Sequence, residues 1–352
     1  MSLAEDDMDE VSWTMEMDCL FFGESESAFF KTDELVPIRK IYKPIYPKPF
    51  YNLLKDKKFK YIQKEQTEIN GHRYDEIRLL SCDIAMIGTK QNDASVFTLI
   101  KLTPIVSKRE DSIVKGYKRS VLYMETIVGG HSETQAIRIR QLYDDLDCDY
   151  IVLDRQGNGI GIYDNLCKNL YDKERDIEYP AFNSMNEEKM QERCLVANAE
   201  RRIYTVSATA EFNSEIAISL RDDIKRNRVE LLVDKNESYE YLSKFNAGTL
   251  PIEIMVKLQT PFLQTDALIN EMVLLESERN QTSGFIKLKE QSGQRKDRYV
   301  SLAYGNFYAS ILEKDLLKGK DDNDLSNFAN FTRKINSSNS SNNGSMFSRI
   351  FR

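Results

Sequence analysis

The sequence predicts an α/β fold with a mixed central sheet, three antiparallel strands plus parallel ones, flanked by helices. Three observations lead to it. Strand-like apolar runs occupy Ile77–Ile87, Ser95–Leu102 and Ser120–Ile127; an amphipathic stretch, Ser132–Leu146, follows; and Tyr150–Leu153 is a short, wholly apolar run. The short connections, with the turn signal Gln91-Asn92-Asp93 before the second run, imply an antiparallel meander. Ile137, Ile139, Leu142 and Leu146 lie roughly on one side of the helical stretch, with Ser132 as its cap. Tyr150–Leu153 has the composition of a strand buried on both faces, as in a parallel sheet. A further helix is expected around Ile162–Leu170. Beyond it helix and strand alternate through Glu187–Ala199, Asn213–Arg226, Val229–Val233, Thr265–Glu278, Phe285–Leu288 and Asp297–Leu312.

The flanks differ from this body. Residues 1–36 form an acidic arm: the first 35 carry eleven acids against Lys31, a net −10, which leaves +3 for residues 36–352. Its Trp13, Leu20-Phe21-Phe22 and Phe29-Phe30 are unlike a solvated tail and imply packing against the rest of this chain or against a module absent from it. Residues 37–75 read as a basic linker rich in proline and aromatics. Pro37, Pro44, Pro47 and Pro49 oppose regular helix, while bases including Lys55, Lys57, Lys58 and Lys60 alternate with Tyr42, Tyr46, Phe50, Tyr51, Phe59 and Tyr61. Such interleaving suits a phosphate backbone; a proline-rich linker on the domain surface explains it equally. Residues 76–317 make the folded domain, and 318–352 an Asn/Ser-rich tail expected to be disordered.

Composition narrows the chemistry. No apolar run approaches the ~20 residues of a membrane span, and the N-terminus is acidic where a secretory signal is positive. A soluble, cytoplasmic protein is expected. The five cysteines form no C-x-x-C pair, and His72 and His131 lie in no motif, so thiol, zinc and Ser-His-Asp mechanisms lack support. Carboxylates, metals or lysines must carry any chemistry.

Three aspartates stand out. Asp154 ends the buried strand and precedes the glycine-rich turn Gly157-Asn158-Gly159-Ile160-Gly161; in open α/β sheets, sites lie beyond such carboxyl ends. The spacing is not G-x-G-x-x-G, and the Asp154 charge would repel a pyrophosphate, which argues against a dinucleotide site. No G-x-x-x-x-G-K-[ST] occurs. Asp83 lies within the apolar run Leu79–Ala85, where a carboxylate needs compensation by a metal or by backbone amides. Asp297 stands among Arg295, Lys296 and Arg298 at a helix start; a helix cap or a metal-binding acid beside a phosphodiester both fit, with those bases touching DNA in the second case. Asp93 is a weaker auxiliary candidate that its turn position already explains. Carboxylate oxygens favour Mg²⁺ or Mn²⁺ over zinc, and two such ions can run in-line phosphodiester hydrolysis without histidine or cysteine.

Three antiparallel strands, a helix and a parallel central strand are also the order of an RNase H-like sheet. The chain resembles the nuclease domain of the tailed-phage terminase large subunit, an RNase H-like, RuvC-like nuclease. The resemblance covers nearly all of residues 10–312. It rests on Ser12-Trp13 through Phe21-Phe22-Gly23-Glu24-Ser25-Glu26, on Asp149–Gly161 with Tyr163-Asp164, on Asn213-Ser214-Glu215-Ile216, and on Arg295–Tyr299. It implies a metal-dependent endonuclease that cuts concatemeric double-stranded phage DNA during packaging in the host cytoplasm, with Asp83, Asp154 and Asp297 as the acidic triad. It further implies a terminase small subunit, a portal and an ATPase domain as partners. The Walker motifs of that ATPase are missing from these 352 residues. Residues 1–36 therefore read as the remnant that follows an ATPase, in a separate nuclease domain or a truncated prophage product. Alternatives are a Holliday-junction resolvase or transposase-type enzyme, which shares the carboxylate chemistry, and a non-catalytic DNA-binding packaging module.

Overall fold

The computed structural model describes residues 27–54, 59–69, 72–85, 94–106, 114–244, 250–280, 284–291 and 294–318. The acidic arm up to residue 26, Lys55, Lys57, Lys58, Asp93 and the tail from residue 319 lie outside the described residues.

In chain order the strands are β1 (Arg39–Ile41), β2 (Gln66–Ile69), β3 (His72–Asp75), β4 (Ile77–Asp83), β5 (Ala94–Val106), β6 (Val114–Val128) and β7 (Tyr150–Asp154). There follow β8 (Leu170–Asp172), β9 (Ile177–Tyr179), β10 (Phe182–Ser184), β11 (Glu200–Val206), β12 (Val229–Leu232), β13 (Glu276–Arg279) and β14 (Ile286–Lys289). The helices are α1 (Thr32–Leu35), α2 (Lys48–Leu54), α3 (Ser132–Asp145), α4 (Asn158–Leu166), α5 (Glu188–Gln191), α6 (Ala210–Lys225), α7 (Lys235–Ser243), α8 (Ile252–Val273) and α9 (Asp297–Lys318).

Eight strands form one mixed sheet in the order β1-β12-β6-β5-β4-β7-β11-β10. Strand β5 is antiparallel to both neighbours; every other pairing in the sheet is parallel. The expected meander is thus β4-β5-β6, and the apolar run 150–153 is the parallel strand β7 beside β4. Both faces are covered, which explains the continuous apolar runs. One face packs on α3, α4 and the first half of α8, with Leu80, Cys82, Ile151 and Leu153. The opposite face carries Leu79, Val96 and Val152 against α6, the second half of α8, and α9. Among the described residues no helix is long and apolar enough to cross a membrane.

Several expectations need correction. Residues 37–54 do not run as a free linker: β1 extends the sheet, and Ile45, Tyr46 and Phe50 are buried in the core with Phe59. Pro44 and Pro47 sit between short elements, while Pro37 lies in the 3-10 turn Val36–Ile38 and Pro49 in the first turn of α2, positions where no intrahelical N–H is lost. Bases of this stretch have acidic partners within the fold, Arg39 with Asp266, Lys48 with Asp147, and Lys64 with Asp149 at 2.5 Å. Phe29 and Phe30, at the end of the acidic arm, pack into the core beside Tyr299. Helix α3 has His131, without a side-chain cap bond, at its N-cap; Ser132 is its first residue. Helix α4 starts at Asn158 and ends at Leu166, four residues earlier at each end than expected. Glu187–Ala199 holds only the short α5, and β11 follows it.

Candidate metal centre

Period-two alternation decides where the strand acids point. On β4, Leu79 and Ser81 face α9, since Ser81 Oγ donates to the Ser301 carbonyl at 2.6 Å. Asp83 is two residues on and shares that face. On β7, Val152 faces the same layer, and Asp154 two residues later follows it. Cys82 pairs with Leu153 in the parallel register, so the next positions, Asp83 and Asp154, come side by side at the carboxyl ends of adjacent strands.

The third acid arrives on α9. Residues 297, 301 and 305 are four apart and so share one helical stripe. Ser301 sits on Ser81 and on Thr98, whose hydroxyl is 2.7 Å from Ser301 Oγ. At Gly305 a Cβ would lie 2.4 Å from Ile100 Cδ1 and 3.0 Å from Ser81 Cβ, so a larger residue there would have to displace the Ile100 side chain and crowd Ser81. Two strand residues span about 6.6 Å and four helical residues about 6 Å. Stepping from the Ser81–Ser301 contact therefore brings Asp83 and Asp297 to the same level. Asp297 Oδ2 accepts a hydrogen bond from the Ala94 backbone at 3.4 Å, on the strand that pairs with β4.

All three acids are half-buried. Burial pushes the Asp83 carboxyl well above the usual carboxylate range, and the charges of Asp297, Asp154 and Glu271 push it further; Lys296 opposes them. Among the described residues none donates a hydrogen bond to Asp83. Asp154 is better supported. Its Oδ1 accepts from the Gln156 backbone at 3.0 Å and its Oδ2 from the Tyr304 hydroxyl at 3.3 Å. Burial raises its pKa, against these bonds and the charge of Arg155. The glycine-rich turn serves this position: Gly157 has φ 55°, and a Cβ on Gly159 would fall 1.7 Å from the Asp154 carbonyl oxygen. The glycines let α4 close onto the strand end.

The structure brings Asp83, Asp154 and Asp297 to one end of the sheet. Yet among the described residues no three acidic, histidine or cysteine side chains are gathered closely enough to hold a metal ion as they stand. The donor set, hard carboxylate oxygens, fits a divalent cation such as Mg²⁺ or Mn²⁺; the spacing has to tighten around one. Asp93 lies outside the described residues. Of the bases expected at DNA, Arg298 is 3% exposed and bonded to Glu271 and Gln264, so it is unavailable to a phosphate. Lys296 pairs with Glu290 at 2.7 Å.

Two neighbours escaped the sequence reading. Tyr304 reads as one more apolar residue of a helix, and only its position seven residues after Asp297, two turns along, signals the shared face. Glu271 is an acid inside the apolar run Ala267–Leu275, the same signal that marked Asp83.

No protein-family model matches the chain, and no curated protein does. Among solved structures the chain is similar to the large terminase nuclease from thermophilic phage G20c with bound magnesium, at 13% identity and a TM-score of 0.42, over 80% of this chain and 98% of that one. The cobalt-bound form gives the same values. The HK97 bacteriophage large terminase is similar at 9% identity and a TM-score of 0.32, over 75% of this chain, which spans 43% of the HK97 protein.

Proposed function

We propose that this chain is a metal-dependent endodeoxyribonuclease that hydrolyses phosphodiester bonds of double-stranded DNA, cutting concatemeric phage DNA during packaging. Asp83, Asp154 and Asp297 hold the metal, Mg²⁺ or Mn²⁺, with two ions expected. The observation that carries this reading is the meeting of three acids from β4, β7 and α9, with an Asp83 whose ionised form is opposed by burial and by its acidic neighbours and whose carboxylate meets no donor among the described residues. Three carboxylates held in this way repel one another, and a divalent cation relieves that repulsion.

Bound there, a metal pair supplies an activated water and stabilises the leaving 3′ oxygen. The protein's part is to hold the carboxylates ready. Tyr304 orients Asp154, the Gly157–Gly159 turn fixes its backbone, and the docking of α9 by Ser301 and Gly305 brings up Asp297.

The test is plasmid nicking with Mg²⁺, Mn²⁺ or EDTA, using wild type and Asp83→Asn, Asp154→Asn and Asp297→Asn. Metal-dependent cutting by wild type is expected, with near-complete loss in each variant because ligands of one site act as a unit. Cutting that survives Asp154→Asn removes that residue from the site. A wild type that binds DNA but cuts it with none of these metals favours the non-catalytic packaging module.

A further inference from the structure

Glu271 on α8 is 4% exposed and has no part in the chemistry just described. Both of its carboxylate oxygens are directed at the start of α9. Oε2 accepts from the backbone N–H of Arg298 at 2.9 Å and of Tyr299 at 3.2 Å, and Oε1 accepts from the Arg298 guanidinium at 2.6 Å. Two turns earlier on α8, Gln264 Oε1 accepts from Arg298 Nε at 2.8 Å. The first N–H groups of a helix have no partner within it, and the helix dipole favours an acid beside them. A cap usually comes from the residue just before the helix. Here a neighbouring helix supplies it, so one carboxylate both caps α9 and ties it to α8. The two capped residues are those that follow Asp297.

We infer that Glu271 is a positioning residue for Asp297, holding the first turn of α9 in the orientation that presents this acid to Asp83. The functional consequence rests on the metal reading above; the cap does not. A second element already fixes the stripe farther along, where Ser301 and Gly305 meet β4 and β5. Glu271 fixes its leading end, the end that Asp297 occupies. Without it, the turn before Ser301 is free to fray while the rest of the helix stays docked.

The test uses the whole chain and two variants. Glu271→Gln keeps the shape and one acceptor but sets an amide donor against the Arg298 guanidinium. The double variant Glu271→Leu/Arg298→Leu removes the buried pair without leaving either charge alone. Amide hydrogen exchange at Arg298 and Tyr299 is read by NMR, and Mn²⁺ affinity by electron paramagnetic resonance, both without DNA. At least ~10-fold faster exchange at the two amides is expected in the double variant, with Mn²⁺ affinity lower by ~10- to 100-fold, the range seen when partners of metal ligands are removed; Glu271→Gln, whose remaining oxygen can still accept from both amides, should lie closer to wild type. A folded double variant with wild-type exchange and wild-type Mn²⁺ affinity overturns the inference, because the pair is then only packing. If Glu271→Gln fails to fold, the double variant decides. If wild type binds no Mn²⁺, it is the metal reading that has failed. Exchange then decides the positioning role alone: faster in the double variant supports it, unchanged overturns it.

Discussion

Gly159→Ala sets the close approach of α4 to Asp154 against the ordinary benefit of alanine in a helix. The added Cβ would lie 1.7 Å from the Asp154 carbonyl oxygen and 2.9 Å from its carbonyl carbon. A carbon–oxygen contact needs about 3.3 Å, so strand end and helix must separate by about 1.6 Å. Both sides of this clash are backbone, and no rotamer change relieves it. Overpacking of this kind costs about 1–3 kcal/mol or more, offset by about 0.5–1 kcal/mol because alanine suits a helix better than glycine. The net loss is about 1–2 kcal/mol, a fall in Tm of about 2–8 °C for a domain of this size. The effect on cutting is larger, since a displacement near 1 Å in a reacting group costs about 100-fold. Gly161→Ala, in the same helix, is the control: its Cβ would sit 3.8 Å from Ser132 Cβ, an ordinary contact. Thermal melting and plasmid nicking with Mn²⁺ are measured on both. If Gly159→Ala melts and nicks like wild type while Gly161→Ala does the same, the turn does not set the position of Asp154 and the reasoning fails.

Tyr304→Phe removes the hydroxyl donor to Asp154 with little change in packing; Mn²⁺ affinity is expected to fall by about 10-fold, the lower end for partners of metal ligands, as read by metal titration. Arg78 is fully buried and bonds Glu76 at 2.5 Å, the Tyr61 hydroxyl, and the carbonyls of Leu146 and Ile62. Glu76→Ala leaves that guanidinium without its carboxylate and should cost about 3–5 kcal/mol in denaturant unfolding; a loss below about 1 kcal/mol would mean that the carbonyls and Tyr61 suffice. Glu34 meets opposing influences: burial pushes its carboxyl up, but Arg221 and Lys225 outweigh this and hold it below its ordinary value of 4.5. A depressed carboxylate stabilises the fold above its unfolded pKa and loses that contribution as pH falls through the folded one. The Tm gap between wild type and Glu34→Gln should therefore be full at pH 6 and shrink below about pH 4.5; a constant gap would exclude the ion pairs as its origin.

How much was legible in the sequence differs by element. Strands β4 to β7 and helix α3 stand out because burial on both faces leaves long apolar runs bounded by turn residues. Strand β11, Glu-Arg-Arg-Ile-Tyr-Thr-Val, does not: Arg201 and Arg202 near the edge of the sheet dilute the pattern. The first half of α8 lies outside the expected Thr265–Glu278, and the helix runs through Pro261, a residue that disfavours a helix interior. The site divides in the same way. Asp83, Asp154 and Asp297 can be picked out because each acid contradicts its surroundings, an apolar strand, a glycine turn or a basic cluster. Glu271 and Tyr304 act through partners far away in sequence, and nothing local to either names the partner. Arg298 shows the converse error: a base beside an acid suggested a phosphate, and the fold supplies a buried glutamate instead.

The route by which α9 meets β4 also bears on synthesis. Asp83 and Asp154 emerge early and lie on adjacent strands, but Asp297 comes 143 residues after Asp154. Chains grow at about 5–20 residues per second and fold from the N-terminus, so for about 7–30 seconds a nascent chain carries two of the three acids and not the third. On the proposed reading, such a partly made chain lacks one ligand of its metal site. That end of the sheet is complete only when the last described helix lies down across it.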